Sequence, residues 1–220
     1  MRKIIGGMFQ SLDGVIQGPG GQTEDPTGGF AFSGWMPAVS DETAGAAIGR
    51  FFDRPYDLLL GRRTYEIFAA YWPFVSGDHA AMGQAFTAAA KYVLTRGDQP
   101  LTWANSHRLG DIHAVARLKQ GDGPDLLIQG SSTIYPALLA AGLLDELVLY
   151  SFPLVLGDGK RLFGAGTPAL TFAPISHEVT PSGIVIASYA PGSGVELGSF
   201  GQIDSALEDA RQRRMAEGTW

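Results

Sequence analysis

Three short stretches carry residue types suited to binding an anion. Gly61-Arg62-Arg63-Thr64 follows the apolar run Tyr56–Leu60, Thr95-Arg96-Gly97 follows Tyr92–Leu94, and Gly130-Ser131-Ser132-Thr133 follows Asp125–Gln129. Each reads as the end of a strand, and the first and third run on into helical segments. A helix start presents backbone N–H groups without internal partners, and small residues there let an anion approach closely. Arg62 and Arg63 at a helix start oppose the helix dipole, so helix stability does not explain them. If the three strands are neighbours in one largely parallel sheet, their carboxyl ends open on a single crevice. That crevice would suit a diphosphate with one additional phosphate, since the planar guanidinium fork makes bidentate phosphate contacts. An NADP-type dinucleotide has this form. The fingerprint G-x-G-x-x-G does not follow the first strand, so a standard Rossmann site is not expected.

A second set of candidates surrounds the first strand, read over 3–9. Asp13 in Ser11-Leu12-Asp13-Gly14 has two readings: a carboxyl group that handles a proton beside the substrate, or an ordinary Asp-Gly turn. Residues 17–35 form a Gly-, Pro- and Phe-containing stretch without periodicity, long enough for a functional loop or lid. Within it, Trp35, Phe30 and Phe32 would either line a pocket for a flat ring or belong to the core. Glu66 and Asp41 read better as solvated or capping acids. His79, His107, His113 and His177 are scattered without ligand spacing, so no metal site is expected.

The elements that must position these residues alternate. Asp41 or Ser40 caps a helix to about residue 52 with Ala44, Ala47, Ile48 and Phe51 on one face. A strand at 56–60, a helix ended by Pro73, a helix capped by Asp78 and a strand at 92–95 come next. Asp111 opens a helix that runs from 112 to 120 and stops at Gly121. The segment 125–163 then reads as strand, Gly-Ser turn, helix to Gly142 and strand 146–152, a βαβ-type unit. Strands at 169–172 and 184–189 form an antiparallel pair about the turn 181–183. The pattern predicts an α/β fold with a central mixed, mostly parallel sheet flanked by helices. One domain is expected over 1–190, and a linker with a helical tail over 191–220.

Composition narrows the function. The chain has 220 residues, a net charge of −6 and no cysteine. The acidic balance argues against a nucleic-acid partner, and the absence of cysteine excludes thiolate catalysis and disulfides. No apolar run is long enough to span a membrane and no signal peptide is expected, so a cytoplasmic protein is the expectation.

Taken together these residues resemble the dihydrofolate reductase-like superfamily. They are most similar to its branch containing the C-terminal reductase domain of bifunctional riboflavin-biosynthesis proteins. The resemblance rests on Ser11-Leu12-Asp13-Gly14, on residues 58–66 and 92–95, and above all on the block 126–163 with Gln129-Gly130-Ser131 and residues 142–146 and 153–163. It implies NADPH as cofactor. Gly61, Arg62, Arg63 and Thr64 would face cofactor phosphate, Thr95 and Arg96 the ribose phosphate of the adenosine, and Gly130, Ser131, Ser132 and Thr133 the pyrophosphate. It also implies hydride transfer to a small planar substrate of pteridine, pyrimidine or carbonyl type, with Asp13 or water giving the proton and Trp35 and Phe32 against the ring. Folate-reducing members carry a pterin-binding acid on the helix after the long loop, and Asp41 and Glu42 lie near that helix start. No second arginine cluster for a substrate phosphate is present. A homodimer is implied as well, with the apolar run 148–155 expected to cover a sheet edge. The alternative is a non-catalytic NADP(H)-binding module acting through a partner.

Overall fold

The computed structural model describes residues 1–201 and 203–219. Eight strands form one sheet: β1 (Ile4–Ser11), β2 (Tyr56–Gly61), β3 (Lys91–Leu94), β4 (Ser106–Leu109), β5 (Asp125–Gln129), β6 (Glu146–Phe152), β7 (Phe172–Val179) and β8 (Val185–Pro191). Their order is β4-β3-β2-β5-β1-β6-β8-β7. All pairings from β4 to β6 are parallel, and β8 runs antiparallel to both β6 and β7. The helices are α1 (Glu42–Phe52), α2 (Arg62–Tyr71), α3 (Ala80–Ala88), α4 (Ile112–Gln120), α5 (Tyr135–Ala140) and α6 (Ala206–Glu217). This is a mostly parallel mixed sheet flanked by helices.

The central strands read as unbroken apolar runs because helices cover both faces. Leu58, Leu59 and Leu60, and Leu126, Leu127 and Ile128, are fully buried. One face, with Ile4, Met8, Leu59, Leu126 and Ile128, packs with Val115 of α4 and Tyr135 and Leu138 of α5. The other meets Phe51 of α1, Tyr65 and Phe68 of α2 and Phe86 of α3. Removing each such side chain from water contributes about 1.5–3 kcal/mol.

Several boundaries differ from the sequence expectation. β4 was missed because Ser106-His107-Arg108-Leu109 carries no apolar run; it is an exposed edge strand held by its pairing with β3. Asp78 does not cap α3; it lies in the preceding 3-10 turn Gly77–His79, and no side chain caps either element. The helix after β5 is short, because a 3-10 turn, Ser132–Ile134, precedes α5. β7 starts at Phe172, three residues later than expected. β5 and β6 are not adjacent, since β1 lies between them. The run 148–155 therefore covers no edge: β6 is interior, and the edges are β4 and β7. β7 carries Pro174 and a register shift between Pro174 and Ser176, both of which discourage a further strand from pairing there. Past β8, the described residues up to Ser205 form neither helix nor strand, and α6 buries no side chain.

Candidate active site

β3, β2 and β5 are consecutive in the sheet, so the three anion-suited strand ends do converge. Two of them are locked together. The buried Gly61 N–H donates to Ser131 Oγ at 3.0 Å, and the Ser131 N–H donates to Thr64 Oγ1 at 3.0 Å. Gly130 (φ 68°) and Ser131 (φ 59°) are both left-handed, which turns the chain sharply off β5. Glycine accepts that conformation freely; serine does so at a cost. A Cβ on Gly61 would lie 3.3 Å from Ile134 Cγ2 and 3.5 Å from Thr133 Oγ1, so the bare Gly61 backbone lets the side chains of the second turn pack against it. Gly61 is the N-cap of α2 and no side chain caps that helix, so its first-turn N–H groups face the crevice without a side-chain partner.

The arginines divide into two roles. Arg62 forms an ion pair with Glu66 at 2.7 Å and donates to the carbonyls of Gln99 (3.0 Å) and Pro100 (3.3 Å). It pins the loop after β3. Arg108 on β4 donates to the same Gln99 carbonyl at 2.6 Å, a neighbour the sequence did not offer because β4 has no strand signature. Arg63 and Arg96 are exposed and make no ion pair or side-chain hydrogen bond among the described residues. Thr95 braces its own turn, its Oγ1 accepting from the Gly97 N–H at 3.2 Å. Ser132 is half-buried and Thr133 exposed beside these turns.

Asp13 ties the ends of β1 and β6. It accepts from Ser11 Oγ at 2.5 Å, from the Leu156 N–H at 3.1 Å and from the Gly157 N–H at 2.8 Å, with Arg161 at 3.8 Å. The Ser11 hydroxyl and these backbone donors hold its carboxyl down to about 2. It is therefore an ionised tether near neutral pH and holds no proton to give.

The stretch 17–35 is fastened at several points. The Gln17 carboxamide donates to the carbonyls of Asp25 (2.9 Å) and Thr27 (2.8 Å) and accepts from the Lys160 N–H at 3.1 Å. Lys160 also pairs with the buried Asp25. Gly34 N–H closes the base of the loop on the Gly18 carbonyl at 2.7 Å. Trp35, 7% exposed, donates its indole N–H to the Gln17 carbonyl and packs edge-on against Phe152 with ring centroids 5.3 Å apart. Trp35 is thus a core residue that shapes the loop and offers no free ring face. Phe32 is 55% exposed, edge-on to Phe30.

α1 packs Phe51 against Ile5 of β1 and Leu127 of β5. The buried side chains of α1 are Ala44, Ala47 and Phe51, so its inward face is apolar. Asp41 caps that helix through the Ala44 N–H at 2.8 Å and also accepts from the Ser182 N–H at 2.9 Å; these bonds hold it far below the usual carboxylate range. Glu42 is exposed. Asp41 is thus committed to the start of α1 and to the turn before β8. Among the described residues no cluster of His, Asp or Glu has the geometry to hold a metal.

Comparison with known proteins fits this geometry. The family model described as RibD C-terminal domain matches residues 2–186. The chain belongs to the RibD C-terminal domain family. YyaP of Bacillus subtilis (strain 168), whose name describes it as uncharacterized, is 24% identical over 198 residues, covering 86% of this chain and 94% of that protein. A putative riboflavin biosynthesis protein from Shewanella sp. PV-4 superposes with a TM-score of 0.62 at 21% identity, covering 86% of this chain and 98% of that one. Dihydrofolate reductase from Enterococcus faecalis, solved with NADP(H), superposes with a TM-score of 0.53 at 14% identity, covering 86% and 96%. This RibD C-terminal domain thus has the dihydrofolate reductase-like fold, a reductase-type architecture. No helix among its described residues is long and apolar enough to cross a membrane.

Proposed function

We propose that the protein is an NADPH-dependent reductase acting on a small planar substrate of pteridine, pyrimidine or carbonyl type. The observation that carries this is the convergence of an uncapped helix start, a left-handed Gly-Ser turn and two unpaired arginines at adjacent strand ends. Those residues fit a dinucleotide. The N–H groups of 62–64, 132 and 133 suit the pyrophosphate, with Ser132 and Thr133 at its side. Arg63, Arg96 and Thr95 suit the phosphate on the adenosine ribose, while Arg62 holds the loop that presents them.

NADPH supplies a hydride for the carbon of a C=N or C=O bond, and the chain supplies orientation and charge. Phe32 covers the substrate ring from the loop, and Trp35 keeps that loop in place. The proton that the substrate heteroatom requires comes from water oriented at the ionised Asp13 carboxylate, which accepts hydrogen bonds and holds no proton of its own near neutral pH. The active species is a homodimer in the cytoplasm; the exposed Ile175, Val179 and Val185 of β7 and β8 support association.

Fluorescence titration with NADPH and NADH tests this reading on the wild type and an Arg63→Ala, Arg96→Ala variant. Losing charge-assisted phosphate contacts costs about 1.5–3 kcal/mol each, so the double variant should lose at least about a hundredfold in NADPH affinity and little for NADH. A wild type that binds neither nucleotide refutes the proposal. The exposed apolar side chains of the C-terminal segment, among them Leu197, Phe200 and Leu207, favour a second reading, an NADP(H)-binding module that acts through a partner. Preferential NADPH binding without oxidation by any heterocyclic or carbonyl substrate would support it.

A further inference from the structure

The C-terminal segment leaves the sheet without a partner. Past β8 its last bonds to the body all go to Thr171: the Gly192 N–H donates to the Thr171 carbonyl at 2.8 Å, and the Ser193 carbonyl accepts from the Thr171 N–H at 2.7 Å and from Thr171 Oγ1 at 3.0 Å. Among the described residues after Ser193, every hydrogen bond and ion pair stays within the segment. Yet Val195, Leu197, Phe200, Ile203 and Leu207 are all more than half exposed, and Phe200 is completely so. Single apolar side chains on a surface need no explanation, but five gathered within 195–207 make a patch of the kind that marks an interface.

The body carries a seat of matching kind. A cavity of about 290 Å³ opens over β6, β8 and β7, on the sheet face that meets α1. The register sets Val148, Ser188 and Ser176 in one row across the three strands, with Ile186 and Glu178 paired in the next. Val148 and Ile186 supply apolar surface. The Ser176 and Ser188 hydroxyls bond to each other at 3.1 Å, and Arg50 and Glu178 pair with each other at 2.5 Å. An apolar guest would therefore strand no donor, acceptor or charge of the lining.

We propose that the C-terminal segment of one copy seats in this cavity of a second copy, with Phe200 as the anchor and Leu197 beside it. This rests on the homodimer of the reading above and names what joins the two chains. The Thr171 bonds prolong β8 in its own direction, so the segment runs away from the Ser188 row of its own chain. Exchange is reciprocal: each copy gives one tail and receives one, which closes the pair about a two-fold axis. Five large apolar side chains from each tail, with the surface they cover, reach the roughly 1,200–2,000 Å² that a stable interface buries.

The chain has no cysteine, so crosslinking of the full chain tests the exchange directly. Phe200→Cys and Ser176→Cys are both made at exposed positions. After subunit exchange and oxidation with copper–phenanthroline, the mixture should give a covalent dimer that neither variant gives alone. A chain carrying both substitutions that instead closes a disulfide within itself overturns the proposal, since its tail then occupies its own cavity. In sedimentation equilibrium, the Leu197→Ser, Phe200→Ser chain should show a dimer dissociation constant at least about a hundredfold above wild type, with an unchanged far-UV circular dichroism spectrum. A dimer that these substitutions leave as tight as wild type overturns the proposal and leaves the homodimer standing. A wild type that is monomeric throughout refutes the homodimer and this proposal with it, so the two failures are distinguishable.

Discussion

Ser131 holds the two phosphate-suited turns together, and its substitution gives a quantitative check on that lock. Its Oγ is the acceptor for the buried Gly61 N–H, 3.0 Å away. Ser131→Ala removes the acceptor and leaves a buried donor unpaired, which costs about 1–3 kcal/mol. Ser131→Gly loses the same bond, but glycine adopts the left-handed backbone at φ 59° without the steric cost of about 1 kcal/mol that alanine keeps. The expected order of stability is therefore serine, then glycine, then alanine. Urea unfolding should place alanine about 2 kcal/mol below wild type and glycine about 1 kcal/mol above alanine. For a chain of this size, the alanine variant should melt about 4–8 °C lower. Thr64→Val supplies the control, since Thr64 Oγ1 accepts from the Ser131 N–H at 3.0 Å. The Thr64 and Ser131 substitutions should couple by more than about 0.5 kcal/mol in a double-mutant cycle. Equal stabilities for alanine and glycine would refute the strain argument, and a change below about 0.5 kcal/mol for both would refute the hydrogen bond.

Two further outcomes follow from groups placed by the fold. The Asp13 carboxyl is held down to about 2, so its contribution to stability is present above about 4, the unfolded carboxylate value, and is lost as pH falls toward 2. Asp13→Asn should be less stable than wild type at neutral pH, and the gap should close between about pH 4 and pH 2 in denaturant titrations; a gap independent of pH contradicts the tether. The fully buried Lys91 donates to the carbonyls of Phe86 (3.0 Å), Thr87 (2.7 Å) and Ala89 (2.8 Å) and lies over Trp103, satisfying the end of α3. Lys91→Met should lower unfolding free energy by about 3 kcal/mol, and hydrogen exchange should show α3 fraying first; unchanged protection of α3 would contradict that role.

The sequence made the parallel core legible because buried parallel strands advertise themselves: Leu58-Leu59-Leu60 and Leu126-Leu127-Ile128 have no competing helical reading at that length. The cap Asp111 was equally plain and Asp41 was one of two candidates with Ser40; both aspartates accept from the third residue on. β4 was not legible, since a four-residue edge strand that packs only Leu109 against the core shows no apolar pattern. The strand-end residues could be picked out because Gly-Arg-Arg-Thr and Gly-Ser-Ser-Thr place small, hydroxyl and arginine side chains straight after apolar strands. Their division of labour could not: the tie of Arg62 to Gln99 and Pro100 depends on loop geometry that no spacing encodes. Trp35 was ambiguous for a general reason, since an aromatic ring in a long loop looks the same whether it faces inward or outward.

The place of β1 has a consequence for how the chain is made. It is the first strand, yet it pairs with β5 on one side and β6 on the other. Its partners leave the ribosome more than 100 residues later, and β6 ends at Phe152. At roughly 5–20 residues per second, that delay lasts on the order of ten seconds or more. Throughout it, Ile4, Ile5 and Met8 have no sheet to enter. The β2–β3–β4 layer can gather first, but the central seam closes only when the second half arrives. A nascent chain of this protein therefore carries β1 as an unpaired, strongly apolar strand until β5 and β6 follow, a binding target for holding chaperones and a segment exposed to misassembly when synthesis stalls.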